Sequence, residues 1–209
     1  MPELPEVETL CRQLRQIVIG AVISYLDPID PKLGTIGGID GKEVCAINRH
    51  GKALAMDVEG NRTLLFCLRM TGRLLWAQGN GLMPHVRLVI AFPQGKLFLI
   101  DPRRFATVRV HRQGEGLSLG SDPLGDMHPS HLWDMAQRST LPVKSFLMDQ
   151  RRIAGIGNIY ACEILHGARI DPWQRVDTLS HKAWGAIGKV ARKILTRAIA
   201  CRGTSISDW

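Results

Sequence analysis

No apolar run in the 209 residues approaches the ~20 needed to span a bilayer. The opening stretch MPELPEVETL carries three glutamates and no basic residue, which does not suit a secretory signal. The five cysteines, Cys11, Cys45, Cys67, Cys162 and Cys201, are odd in number, scattered, and form no C-x-x-C pair. That argues against a disulfide framework and against a cysteine zinc site, and suits reduced thiols in the cytosol. There is no H-E-x-x-H motif; His128 and His131 could share a helix face, but no third ligand accompanies them. The stretch AGIGNIY lacks the third glycine and the preceding strand of a dinucleotide fingerprint. No internal repeat is apparent.

What the chain has is positive charge. Lys plus Arg number 27 against 19 acids, a formal charge of +8 with pI near 9.6. A polyanionic partner fits, nucleic acid first and an acidic membrane surface second, although a merely basic soluble enzyme would show the same balance. With 45% hydrophobic and 22% charged residues, a packed core is expected.

The sequence reads as α+β. A first helix is predicted from Pro5, because Pro suits the first helical position and Glu6 and Glu8 suit its positive end. Val7, Leu10, Cys11, Leu14, Ile17 and Val18 follow helical spacing, and Gly20 is a plausible stop. Pro2 and Glu3 fall outside that helix and have no structural explanation. From about residue 21 to 112, eight short apolar runs separated by Gly, Pro, Asn or Asp predict a β-sandwich or barrel, with a hairpin at Pro93-Gln94-Gly95. The Gly-, Ser- and Asp-rich residues 114–126 read as a linker. Helices are then predicted over 129–138, 142–149, 158–167 and about 180–200, the last N-capped by Ser180. The domain boundaries are therefore 1–113 for the β domain and 127–209 for the helical one.

Three stretches could carry chemistry. AGIGNIYACEIL leads two glycines and Asn158 into a helix start, which binds phosphate through exposed N–H groups, although in isolation an ordinary tight turn with Asn158 as N-cap explains it better. DPRRFATVRV places Arg103, Arg104 and Phe105 after a strand, where Phe can wedge DNA, or be buried beside solvated arginines. NRHGKALAM puts Arg49, His50 and Lys52 around Gly51, which suits a basic loop tip touching backbone, although an ordinary solvated turn accounts for it slightly better. The Met-Pro start adds a fourth. Removal of Met1 would make Pro2 a secondary amine, and an α-amino group with a pKa of about 7.7–8.0 is partly unprotonated near neutrality. Such an amine can attack a sugar C1′ and form an iminium, with Glu3 shuttling the proton.

Together these stretches resemble the formamidopyrimidine-DNA glycosylase / endonuclease VIII family. The matches are PELPEVE at 2–8, HGK at 50–52, RMTGRL at 69–74, DPRRF at 101–105 and LMDQRRIAGIGNIYACE at 147–163, in family order along essentially the whole chain. PELPEVE and the trio Met70, Arg103 and Phe105 fit the formamidopyrimidine branch. The resemblance implies an N-terminal helix with a two-sheet β-sandwich, then a helix–two-turn–helix domain. It implies Pro2 as nucleophile, Glu3 as catalytic acid and Lys52 as an assisting phosphate contact. Met70, Arg103 and Phe105 would fill the void left by the extruded base, Asn158, His85 and Arg104 would contact DNA, and Glu6 and Glu163 would support the active site. The implied reaction excises oxidised purines such as 8-oxoguanine and formamidopyrimidines from double-stranded DNA, then cleaves by β- and δ-elimination, in a bacterial, cytoplasmic, nucleoid-associated monomer. Relatives continue past the segment matching RGTSISDW into a loop over the damaged base and a four-cysteine zinc finger, so no zinc or other cofactor is expected here. Cys67 stands where many relatives have His.

Two other readings compete with an active glycosylase/lyase. A damaged- or abasic-DNA-binding protein with residual lyase activity would fit the missing finger. A small-molecule enzyme using an N-terminal Pro as base, like a tautomerase, fits the charge, the Arg/Phe cluster and the length less well.

Overall fold

A computed structural model describes residues 2–79, 83–115, 117–125 and 127–203. Helix α1 spans Leu4–Val18 and is entered from Glu3, whose backbone is still extended. The helix thus begins one residue before the predicted Pro5, and Glu3 belongs to its start rather than lying outside it. The reason is reciprocal bonding at the first turn: the Glu3 N–H donates to the Glu6 carboxylate at 2.9 Å, which satisfies a donor that the helix cannot. Past the last turn, Gly20 takes a positive φ of 78°, as its lack of Cβ allows.

Eight strands follow: β1 (Tyr25–Asp27), β2 (Val44–His50), β3 (Ala53–Val58), β4 (Arg62–Cys67), β5 (Arg73–Ala77), β6 (Val86–Phe92), β7 (Gly95–Ile100) and β8 (Thr107–Arg112). They form two antiparallel four-stranded sheets, ordered β1-β6-β7-β5 and β2-β3-β4-β8. The β6–β7 hairpin turns at Pro93-Gln94, with Phe92 opposite Gly95, as predicted. Leu54, Met56, Leu64, Phe66, Leu88, Ile90, Leu97 and Leu99 interdigitate between the sheets, and the apolar stripe of α1 (Val7, Leu10, Cys11, Leu14, Val18) joins that core. Burial pushes the Cys11 thiol up to about 12, with Glu8 adding to the effect, so this cysteine behaves as a neutral hydrophobe. None of the five cysteines is bonded to another.

The second half folds as helices α2 (Pro129–Ala136), α3 (Val143–Met148), α4 (Asn158–Ala168) and α5 (His181–Ala200). The Ser180 hydroxyl accepts the Ala183 N–H at 3.2 Å, the predicted cap. Trp184, Ile187, Ala191 and Leu195 then face a separate core, where Trp184 packs on Phe146 at 5.3 Å. Leu4 belongs to this second core although the rest of its helix belongs to the first. Helix α1 therefore carries the N-terminus across the seam between the two halves.

The connector is docked rather than slack. Gly120 N–H donates to Gln150 C=O, Ser121 N–H to Arg152 C=O, and Ala154 N–H returns to Ser121 C=O. A Cβ on Gly120 would lie 2.2 Å from the Arg152 backbone, so glycine is what lets the two segments approach. Among the described residues, no helix is long and apolar enough to cross a membrane.

Candidate active site

The seam holds a cavity of about 260 Å³, with Pro2, His50, Lys52, Cys67, Arg69 and Gln150 in its wall. Pro2 is buried there by the chain's own geometry: the N-terminus of α1 is pinned where the Leu4 N–H donates to Gly155 C=O at 3.1 Å. Glu3, 1% exposed, points its carboxylate at the start of α4 and accepts N–H groups from Gly157 (2.6 Å), Ile159 (2.9 Å) and Tyr160 (3.4 Å). These are first-turn donors that a helix leaves unpaired, reinforced by its dipole. The anion that this helix start holds is therefore the protein's own carboxylate. Asn158, expected as the N-cap, is instead the first helical residue, with Gly157 in the cap position and an exposed side chain.

Glu6 is buried below Glu3 and takes the Tyr160 hydroxyl at 2.8 Å as well as the Glu3 N–H. Lys52 arrives from the β2–β3 turn, where Gly51 adopts φ 59° and packs against Ala154 and Leu119. Any Cβ on Gly157 would sit 2.5 Å from both the Lys52 Nζ and the Glu3 carboxylate, so amine and acid meet over one glycine. Burial lowers the Lys52 pKa below the usual amine value, and the opposing attraction of Glu3 only partly restores it. Arg49, read from sequence as a basic loop tip, is largely buried. Its guanidinium reaches Glu8 on α1 (3.2 Å) and Asp122 in the connector (2.6 Å), which ties the turn bearing Lys52 to both.

The second cluster is Met70, Arg103 and Phe105. The first is 52% exposed and the last 45%, although both are large and apolar. Arg103 lies over the Phe105 ring at 4.6 Å, and its Nη1 is 3.9 Å from the Met70 sulfur, so residues from two separate loops converge on one protrusion. Asp101 shapes that loop by accepting the N–H groups of Arg103 (3.2 Å), Phe105 (2.7 Å) and Ala106 (2.7 Å) and the Thr71 hydroxyl. Burial pushes its carboxyl up, but these bonds outweigh it and hold the pKa below the usual range. Buried Arg87 links Asp101 (3.4 Å) to Asp30 (2.6 Å). Arg104, at φ 57°, forks its guanidinium onto Asp30 through Nε (2.9 Å) and Nη2, and this holds Asp30 well below the ordinary carboxylate range. Arg104 thus braces the loop, and Arg103 is the arginine at its tip.

His85 is exposed beside the same loop and its carbonyl accepts the Asp101 N–H. Glu163 lies on the exposed side of α4 and is not among the residues of the cavity wall. Sequence reasoning missed Arg69 and Gln150. Arg69 could have been suspected from its place beside Met70 in RMTGRL; Gln150 carries no sequence signal beyond membership of a matched stretch. Among the described residues, no group of three His, Cys, Asp or Glu side chains could hold a metal ion.

A β-sandwich and a helical domain meet at helix α1, with a Pro-Glu pair near the N-terminus and a lysine at their seam. Residues 1–108 match the formamidopyrimidine-DNA glycosylase N-terminal domain, and residues 119–209 match that enzyme's H2TH domain. The chain is 35% identical over 227 residues to the formamidopyrimidine-DNA glycosylase of Moorella thermoacetica, covering all of this chain and 82% of that one. It superposes on the Lactococcus lactis Fpg bound to abasic-site DNA with a TM-score of 0.93 at 28% identity, over 99% of this chain and 82% of that one. For MutM (Fpg) of Thermus thermophilus the TM-score is 0.91 at 32% identity, over 99% and 79%. The chain belongs to the formamidopyrimidine-DNA glycosylase family.

Proposed function

We propose that this chain, a base-excision DNA glycosylase, removes oxidised purines such as 8-oxoguanine and formamidopyrimidines from double-stranded DNA and then cleaves the strand as a lyase. The observation that supports this most is the convergence of Pro2, Glu3 and Lys52 at a cavity between two domains. Freed of Met1, the Pro2 nitrogen is a secondary amine. It attacks C1′ of an extruded nucleotide as the base departs with the bonding electrons, which leaves an iminium after ring opening. Glu3, fixed by three N–H groups, moves the protons. Loss of the C2′ proton then breaks the 3′ C–O bond, and a second elimination breaks the 5′ C–O bond. Chemistry at C1′ requires the nucleotide outside the stack, and the mutual contacts and exposure of Met70, Arg103 and Phe105 support their filling the vacated space. Lys52 neutralises a phosphate near the reacting sugar. The protein acts as a monomer on the bacterial chromosome in the cytoplasm.

The test is borohydride trapping on a duplex with one abasic site. A covalent adduct through Pro2 is expected, weaker with Pro2→Gly and absent when Met1 is retained. Equal trapping with Met1 in place would move the nucleophile elsewhere, Lys52 being an amine in the same cavity wall. The amine and carboxylate supply nucleophile and proton transfer without a cofactor. The spacing of the cysteines and histidines assembles no four-ligand zinc cluster, so elemental analysis should find no stoichiometric zinc, and one zinc per chain would overturn this part of the proposal.

A further inference from the structure

We infer that Gln150 is a positioning residue for the catalytic acid. It stands in the cavity wall, yet its carboxamide is turned into the loop that precedes α4. Its Nε2 donates to Met148 C=O at 2.8 Å and to Ile156 C=O at 2.7 Å, and its Oε1 accepts the Gly155 N–H at 2.8 Å. Two carbonyls and one N–H leave a single orientation for the amide and use both of its donors. Its main-chain carbonyl meanwhile takes the Gly120 N–H of the connector at 2.9 Å.

The consequence runs through one peptide group. Ile156 C=O and Gly157 N–H belong to the same rigid plane. Gln150 holds the oxygen end; the nitrogen end donates to the Glu3 carboxylate at 2.6 Å. Fixing the oxygen fixes the direction of the N–H, and the two hydrogen bonds polarise each other across the peptide. The neighbouring Gly155, at φ 98°, is held by Oε1 on its N–H and passes its carbonyl to the Leu4 N–H. One carboxamide thus sets both the carboxylate of Glu3 and the main chain directly after it. Glutamine suits this role because a shorter amide could not span from Met148 to Ile156, and an apolar side chain would leave three polar groups without partners.

The inference rests on the proposed chemistry, so its test has one readout that does not depend on activity. In Gln150→Leu, hydrogen exchange of the Gly157 amide should quicken and its ¹⁵N shift should move. Single-turnover excision should fall by about 100-fold, as expected when a catalytic group is misplaced by an ångström, with the KM for lesion duplex little changed. Trapping on a preformed abasic site, which depends mainly on the amine, should fall much less. In Gln150→Glu, the ionised side chain faces two carbonyls, while its protonated form regains one donor. The ratio of its excision rate to wild type should therefore climb as pH falls through that carboxyl's pKa. A lower Tm with unaltered single-turnover rate and Gly157 exchange would make Gln150 merely structural and overturn the inference. If Gln150→Leu does not fold, a flat pH ratio in Gln150→Glu would overturn it equally. A wild-type protein that neither excises nor traps would refute the proposed function instead, and the Gly157 amide would still decide the role of Gln150.

Discussion

Glu3 and Asp101 are built alike and placed differently. Each is a carboxylate about 1% exposed, and each is held by three backbone N–H groups. The donors to Asp101 lie two, four and five residues downstream, so the loop bearing Phe105 organises itself when its own sheet forms. The donors to Glu3 lie 154 to 157 residues away, across the seam. The exposed cluster is therefore a property of one domain, whereas the carboxylate of Glu3 is fixed only when both have folded and docked.

The largest effects should separate these two carboxylates. Glu3→Gln retains an oxygen for the α4 donors but can no longer move protons. Excision should fall by ~10²–10⁴-fold, the usual worth of a general acid–base group, while the N–H that faces the new amide nitrogen loses its acceptor at about 1–3 kcal/mol. Asp101→Ala removes the acceptor of three N–H groups and leaves buried Arg87 with Asp30 as its remaining carboxylate. Each N–H group left buried without an acceptor costs about 1–3 kcal/mol, which urea denaturation would register. If Glu3→Gln proved as destabilising as Asp101→Ala, the parallel would hold for stability as well as geometry, and the distinction between the two sites would fail.

Next in size is the protruding cluster itself. Phe105→Ala should weaken action on lesions in duplex far more than on single-stranded abasic DNA, since only the duplex demands unstacking, at a few kcal/mol per step. Comparable losses on both substrates would make Phe105 part of the core of its loop rather than a wedge.

How much of this was legible follows the same division. All eight strands and the later helices could be read because their signals are local: alternation, turn residues, Ser180 as a cap. The motif DPRRF could be picked out for the same reason, since Asp101 acts within five residues. The bonds that make the catalytic seam could not. Nothing near Asn158 announces that the carboxylate of Glu3 would occupy the start of its helix, and Asn158 therefore looked like a cap. Glu3 itself seemed to have no structural role for the mirror-image reason. The fork of Arg104 onto Asp30, 74 positions earlier, is likewise invisible from DPRRF. The resemblance to a known family supplied what local pattern could not, but it named residues without showing which ones brace and which ones reach.

The smallest effect expected is on stability at Lys52, and it has a sign opposite to the effect on function. The folded protein holds this amine below its unfolded value of 10.5 because burial disfavours the cation. A group whose folded pKa is lowered in this direction binds its proton more tightly in the unfolded chain, so the protonated lysine costs stability at every pH below the folded pKa. Lys52→Met, similar in length and apolar, should therefore be more stable than wild type at neutral pH. Solvent screening of a partly exposed amine keeps the gain under about 1 kcal/mol, a Tm rise of no more than ~2–4 °C in a chain of this size. The gap should narrow as pH rises through the lowered pKa toward 10.5, where the wild-type amine loses its charge. DNA binding should move the other way: the log–log salt slope should flatten by roughly 0.9, the loss of one phosphate contact, with excision reduced. Thermal melts across this pH range and binding at several salt concentrations measure both. A Lys52→Met protein that is less stable than wild type at neutral pH would mean that attraction to Glu3 outweighs burial. The pairing over Gly157 would then resemble the Asp101 cluster, where partners more than offset the cost of desolvation.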